Sequence, residues 1–588
     1  MRSDQFPGLR TIVSTCLLLI ALTSYPGVSD DHAAIQWLRE HAVPLQTVEA
    51  GHGFTDLQPL GLMVGNARIV ELGEATHGTR EFFQLKHRLV EFLASQKGFT
   101  IFSIEANMPE AYRLNDFVLN GVGDPKQLLK GLYFWTWNTE EVLDMILWMR
   151  DYNKSGKGRI EFTGFDMQTP TVSIDIVRKF AMSNDPTFYS ATLDALYGEL
   201  SRTHPSSPNS FAVATATLPL QAAVGKHLLL SGYIRSQDIA DGYAGLWVRA
   251  DGAKGVLEFG DMHNNGVTGT TPWTRYEVSI DVPASATAVF FGALQTGTGA
   301  AWVDSLQIEL DGVPYTDHSV FDPGFESSTP RGFYTRGNGY EVSVDAAVAQ
   351  TGNQSLRMRR SPPAPSENKN SASVLPAQCS AVVDHLESNR AGYLRRGVTA
   401  PAMDWVIQNA RLVLEYSQLK AGAKTRDESM ADNLKWIADQ NPGAKIIVWA
   451  HNGHVSNNGY AGTASMGTFL RAMFGGELVN FGFAFNQGSF RAIELSKGLH
   501  NFTVGQAPNG TLDRTLASVG PAVFAVDLRR LPKNGAVARW FAQPHLSRSI
   551  GAAYSDTIAP SLWSNWSARG DFDVLLFVEK TTAAHPNP

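Results

Sequence analysis

The chain has 588 residues, more than one simple core accommodates, so two or three domains are expected. With 43% hydrophobic and 18% charged residues it has the make-up of globular protein. A net charge of −7, with no basic stripe to neutralise phosphates, argues against a nucleic-acid binder.

Arg2 and Arg10 precede a short apolar stretch, 11–24, and small residues Gly27 and Ser29 stand before Asp30-Asp31. A positive end, a brief apolar core and a small-residue cleavage site are the order of a secretory signal over residues 1–29. The expectation is a periplasmic or secreted protein with no stable membrane span after processing. Cys16 falls inside that segment. Cys379 is then the single remaining cysteine, it can make no internal disulfide, and it is read as packing.

The next stretch alternates. Residues 67–72, 100–104 and 159–164 read as strands, and 81–95 and 140–153 as helices with apolar residues at helical spacing. Pro/Ser-rich linkers follow at 202–210 and 360–370. Between them, 228–235, 245–250, 274–282, 288–293 and 301–310 are strand-like runs at the spacing of a β-sandwich. The alternating pattern resumes with a helix at 427–438, for which Asp427 is a plausible N-cap, and strands at 445–450, 481–485, 523–528 and 573–578. One α/β domain, 30–204 and 363–588, is therefore expected to be split by an all-β insertion at 205–362.

Four of the predicted strands end in ionisable groups. They deliver Glu74 and His77, then Glu105, then Asp166, then His451 and His454. The carboxyl edge of a parallel sheet is where sites form. Gly73 and Gly78 imply a tight loop where backbone approaches a ligand. Glu74 can hold His77 in one tautomer, so that His77 deprotonates water for attack on an ester carbonyl. His451 and His454 can donate to the oxyanion. No Gly-x-Ser-x-Gly elbow is present. A metal site built from His451, His454, His77 and Glu105 is the rival reading, although there is no His-Glu-x-x-His helix.

At these residues the chain resembles the erythromycin esterase family. The matching segments are Gly73-Glu-Ala-Thr-His-Gly78, Glu81-Phe-Phe-Gln-Leu-Lys-His87, Ile104-Glu-Ala-Asn107, Trp137-Asn-Thr-Glu-Glu141, Gly164-Phe-Asp166, Arg426-Asp-Glu-Ser-Met-Ala-Asp-Asn433, Trp449-Ala-His-Asn-Gly-His454 and Ser465-Met-Gly467. The resemblance implies a three-layer α/β/α fold and metal-independent, cofactor-free attack of water on a macrolide lactone. It places the general base on His77, the supporting acids on Glu74 and Glu105, and the later histidine pair on His451 and His454. Lys86 stands where antibiotic-inactivating members carry arginine. With Asp166, Arg426 and Asn107 it is expected to bind substrate, Arg426 having a structural ion pair as its other reading.

The insertion resembles a jelly-roll domain. The stretches that carry this are Leu230-Ser-Gly-Tyr-Ile-Arg235, Ala244-Gly-Leu-Trp-Val-Arg249, Gly269-Thr-Thr-Pro-Trp273 and Gly299-Ala-Ala-Trp-Val-Asp304, with Asp322-Pro-Gly-Phe-Glu326 placed late, as in a circular permutation. Trp247, Trp273 and Trp302 are candidates to stack on carbohydrate. Two functions follow: hydrolysis of a small ester or lactone, or non-catalytic capture of a glycan or haem-like ligand. The paired carboxylates beside His77 favour the enzyme.

Overall fold

The computed structural model describes residues 28–202, 211–252, 255–262, 266–319, 321–327, 329–337, 340–360, 371–460, 462–494, 498–555 and 559–587. The expected export signal and both linkers lie almost wholly outside them. Among the described residues no helix is long and apolar enough to cross a membrane.

Two large sheets organise the chain. The first draws on both ends of the sequence: β1 (Val43–Pro44), β2 (Ile69–Leu72), β3 (Ile101–Asn107) and β4 (Glu161–Asp166) from before the insertion. The second large sheet holds β5 (Ala212–Leu218), β6 (His227–Gly252), β7 (Gly255–Asp261), β8 (Val267–Asp281), β9 (Ala288–Gln295), β10 (Gly299–Leu310), β11 (Val313–Pro314), β12 (Tyr334–Gly337), β13 (Glu341–Asp345) and β14 (Ser355–Arg360). After it come β15 (Ile446–Trp449), β16 (Leu478–Glu494), β17 (Gly498–Val504), β18 (Val523–Asp527), the hairpin β19 (His545–Arg548) and β20 (Trp563–Trp566), and β21 (Val574–Thr581).

The first sheet runs β1-β18-β21-β16-β2-β15-β3-β4, with β17 paired to β16. Its centre, from β21 to β4, is parallel, and β1, β17 and β18 are antiparallel. The period-2 alternation of strands divides the interior in two. Val70, Leu72, Ile447 and Trp449 face one core, which includes residues of the helices Arg80–Lys97 and Glu140–Lys154. Ile69, Ile446 and Val448 face the other, with residues of Arg426–Gln440 and Met466–Phe474. Helices thus pack on both faces. Thr425 is the N-cap of Arg426–Gln440, its hydroxyl accepting from Glu428 N at 3.1 Å. Asp427, expected to be the cap, lies in the first turn, and its side chain is used elsewhere.

In the second sheet the two runs expected at 228–235 and 245–250 are one strand, β6. Its first half pairs with β8 and β10 and its second half with β7 and β9, through several register shifts. The intervening Asp-Gly turn signals mark a bend, not a break: bulges let one strand change partners. Leu230, Ile308 and Met358 meet Leu246, Phe291 and Ala214 in one core. Trp247 and Trp302 are buried and Trp273 is half-buried, although it is their strand neighbours Leu246, Val248, Ala301 and Val303 that enter the core. Cys379 is buried in a separate helical cluster, where burial pushes its thiol up to about 11.

Candidate active site

β2, β15, β3 and β4 are consecutive in the sheet and parallel, so their carboxyl ends form one edge. The chain segments leaving that edge carry every ionisable residue singled out above except Lys86 and Arg426, which helices bring in.

The loop after β2 is tightly held. A Cβ on Gly73 would lie 2.3 Å from Asn452 Oδ1, and one on Gly78 would lie 2.0 Å from the Arg491 carbonyl oxygen. The close approach that needs glycine is therefore to the protein's own chain rather than to a ligand. Ile550 N donates to Ala75 O at 2.7 Å and Arg491 N to Gly78 O at 2.9 Å. These bonds fix the turn that carries Glu74 and His77.

Glu74 has no exposed surface and uses both oxygens. His77 Nδ1 lies 2.7 Å from Oε1. Lys86 Nζ at 2.7 Å and Trp449 Nε1 at 2.8 Å both donate to Oε2. A carboxylate accepts but cannot donate, so Nδ1 of His77 carries the proton and its Nε2 is left as the basic atom. Trp137 meets the His77 ring edge-on at 6.0 Å, its own Nε1 donating to Glu105 O at 3.0 Å.

Lys86 is also completely buried, with its Nζ 4.3 Å from the Trp449 ring centroid. Burial pulls its ammonium down to about 8 against the opposing pull of Glu74. It has no surface to offer a substrate, and it acts on the site by clamping Glu74. Asn107, also expected to touch substrate, is 1% exposed. Its amide donates to Thr169 Oγ1 at 2.7 Å and accepts from Gln168 N at 2.9 Å, which joins the ends of β3 and β4.

A second cluster surrounds Arg426. Its Nη2 donates to Glu105 Oε1 and to Asp166 Oδ2, each at 2.7 Å, and its Nε to Asp166 Oδ1 at 3.1 Å. Asp166 also accepts from Met167 N and Gln168 Nε2. Both readings of Arg426 thus meet in one residue, an ion pair that is itself part of the site edge. Burial alone would raise the Glu105 carboxyl, but His454 and Arg426 hold it well below the ordinary range. Both its oxygens are engaged, Oε2 by His451 N at 3.0 Å.

The two later histidines differ. His454 places Nδ1 2.8 Å from Asp427 Oδ1 and Nε2 3.4 Å from Glu105 Oε1. Burial disfavours its charge, yet these carboxylates raise it to about 10, against a smaller opposing effect of Arg426. The carboxylates thus favour the imidazolium, opposed by Arg426 Nη1, which lies 3.2 Å from the same Nε2. Burial, with His77 and His454 nearby, pushes His451 well below its ordinary value, so its ring is neutral. Its Nδ1 accepts from Gly453 N at 3.1 Å, which leaves the proton on Nε2. Among the described residues that buried Nε2 has no partner. The ring stands 5.2 Å from that of His77, centroid to centroid.

Trp449, Trp137 and Asp427 were not singled out from the sequence as site residues. Trp449 alternates with Ile447 on β15 and ends the strand directly before Ala450-His451, which is the signal that places it under Glu74. Asp427 sits in the first turn beside Arg426, where a carboxylate reads as a helix-terminus charge. Among the described residues no cluster of three or more histidine, cysteine or acidic side chains has the arrangement of a metal site.

Comparison with known proteins adds the following. The sequence model of the family described as Erythromycin esterase matches residues 94–238 and 343–581, more than half of the chain. An Escherichia coli protein named erythromycin esterase type II is 33% identical over 135 residues, 22% of this chain and 31% of that one. A putative hydrolase of Bacillus subtilis is 28% identical over 174 residues, 29% of this chain and 37% of that one. The chain thus matches well under half the length of these relatives. Among solved structures, a Bacillus cereus protein superposes with a TM-score of 0.60 at 19% identity, covering 95% of this chain and 99% of that one. An erythromycin esterase mutant in its open conformation gives 0.50 at 12% identity, covering 91% and 96%. At such identities the likeness concerns the fold.

Proposed function

The chain belongs to the erythromycin esterase family, and from that premise we propose that it is an exported, metal-independent hydrolase of an ester or lactone, with His77 as general base. The observation that carries this reading is a matched pair. His77 is oriented through Nδ1 by Glu74, and the neutral His451 beside it presents an unpartnered Nε2–H. A water against His77 Nε2 loses its proton as it attacks the carbonyl carbon, and His451 donates to the oxygen on which negative charge develops. The imidazolium of His454 and the Arg426 guanidinium supply positive charge next to that oxygen. Glu105 fixes Arg426, His454 and the His451 backbone. In the same proposal residues 1–29 are the export signal, 30–204 and 363–588 the catalytic domain, and 205–362 a jelly-roll insert that contacts carbohydrate.

The direct test is a hydrolysis screen of the chain against macrolides, simple aryl esters and acylated sugars, before and after prolonged chelation. Arg426 already occupies the place between Glu105 and Asp166 that a cation would take, so turnover is expected to survive chelation. Loss of turnover that zinc restores would make His77 a metal ligand.

Lys86 gives a pH signature. The rate is expected to fall as pH rises through about 8, where the ammonium loses the proton that holds Glu74. Lys86→Arg keeps its charge at all accessible pH and should abolish that limb, leaving one near 10 from His454. Stability moves by opposite signs. The folded value of Lys86 lies below its ordinary 10.5, so its burial cost is relieved between about 8 and 10.5. His454 lies above its ordinary 6.5, so its contribution is complete below 6.5 and lost as pH rises through about 10. An alkaline limb unchanged in Lys86→Arg would remove Lys86 from the account.

A further inference from the structure

The outer face of the inserted sheet carries a second built site. On β6, β10 and β14, Arg235, Trp302 and Arg357 stand in one row, and Gln237, Ala300 and Arg359 in the next. Strand alternation sends their neighbours Ile234, Ala301, Val303, Leu356 and Met358 into the core, so the two rows share the opposite face. Ala300 is the small residue among long ones and floors a hollow of about 310 Å³, walled by Gln237, Asp238, Trp302, Arg357, Arg359 and Arg360. That volume is at the lower end of small-ligand sites, roughly 300–1,000 Å³.

The charges around the hollow are unevenly used. Arg357 is paired, with Glu341 at 2.8 Å and Asp345 at 3.5 Å, and the Trp302 indole donates to Asp345 at 2.8 Å. These contacts make the floor rigid. Arg235 lies over the Trp302 ring at 5.5 Å, and Arg359 projects from the next row. Both are exposed, and among the described residues neither has a carboxylate partner. Among the described residues the buried Nε of Arg357 also lacks a partner. Of the two exposed arginines, Arg359 lines the hollow and Arg235 stands beside it over its Trp302 wall, and the rim holds an amide, Gln237, and a carboxylate, Asp238.

We propose that this hollow binds an acidic saccharide, its carboxylate taken by Arg235 and Arg359 and its hydroxyls by Gln237 and Asp238. Guanidinium groups bind carboxylates through paired, charge-assisted hydrogen bonds. Polar groups of both signs at the rim match the hydroxyls of a sugar better than a bare anion. The inference rests on reading the insert as a carbohydrate-contacting unit, and it specifies the charge of the glycan and the residues that take it.

Affinity electrophoresis of the full chain through gels containing polygalacturonate, alginate or hyaluronate, with dextran and galactan as neutral counterparts, tests it. The acidic polymers should retard the chain, more weakly as salt rises, and the neutral ones should not. Arg235→Ala/Arg359→Ala should weaken retardation roughly tenfold or more with an unchanged melting temperature, since both side chains are exposed. Equal retardation by neutral and acidic polymers, or retardation that survives the double substitution, would overturn the acidic-saccharide site and leave carbohydrate contact standing. No retardation by any polymer would overturn both.

Discussion

His77→Ala is expected to lower turnover by about 10²–10⁴-fold, the usual cost of removing a general base, with substrate affinity and folding little changed. The ring is held by one hydrogen bond to Glu74 and by edge-on contact with Trp137, and it lines the site edge instead of filling the core. Its loss leaves Glu74 still neutralised by Lys86, so no buried charge is orphaned. Steady-state kinetics on whichever substrate the screen identifies, with a thermal melt alongside, separates the two effects. Near-normal turnover in His77→Ala would end the mechanism. A fall in melting temperature that tracks the loss of rate would make the residue structural.

Glu74→Ala should behave in the opposite way, costing stability as well as rate. It removes the carboxylate from a fully buried Lys86, and breaking a buried pair by deleting one partner costs about 3–5 kcal/mol. The Trp449 indole N–H loses its acceptor in the same step. Adding Lys86→Met removes the orphaned charge and should recover much of that stability, while activity stays lost because nothing orients His77. Urea denaturation of the single and double variants measures the difference. If both are destabilised equally, the ammonium is not the source of the cost.

Much of this site was legible in the sequence because strand ends are. Glu74, Glu105, Asp166 and His451 each follow an apolar run whose length matches a buried strand, and parallel strands align their carboxyl ends. What one sequence does not carry is which neighbour each polar atom meets. Lys86 lies in a helix with the spacing of any amphipathic cation, and only the packing of that helix against β2 and β15 turns it inward. Whether His451 or His454 is charged depends on Asp427 and Glu105, which reach His454 from the first turn of a helix and from the end of β3. The unbroken β6 was hidden for a related reason: its Asp-Gly turn residues sit where bulges bend a strand. The break expected between its halves was a change of partner.

The place of β15 in the sheet sets the order in which the molecule can be built. It lies between β2 and β3, so those two strands have no direct ladder with each other, and the strand that joins them is synthesised last of the three. Roughly 340 residues separate β3 from β15, which at about 5–20 residues per second is on the order of half a minute of synthesis. Throughout that interval a nascent chain holds two buried-type strands with open edges, and the inserted sheet can complete itself first. A holding chaperone that shields β2 and β3 until the C-terminal half arrives is therefore a foreseeable requirement for high yield.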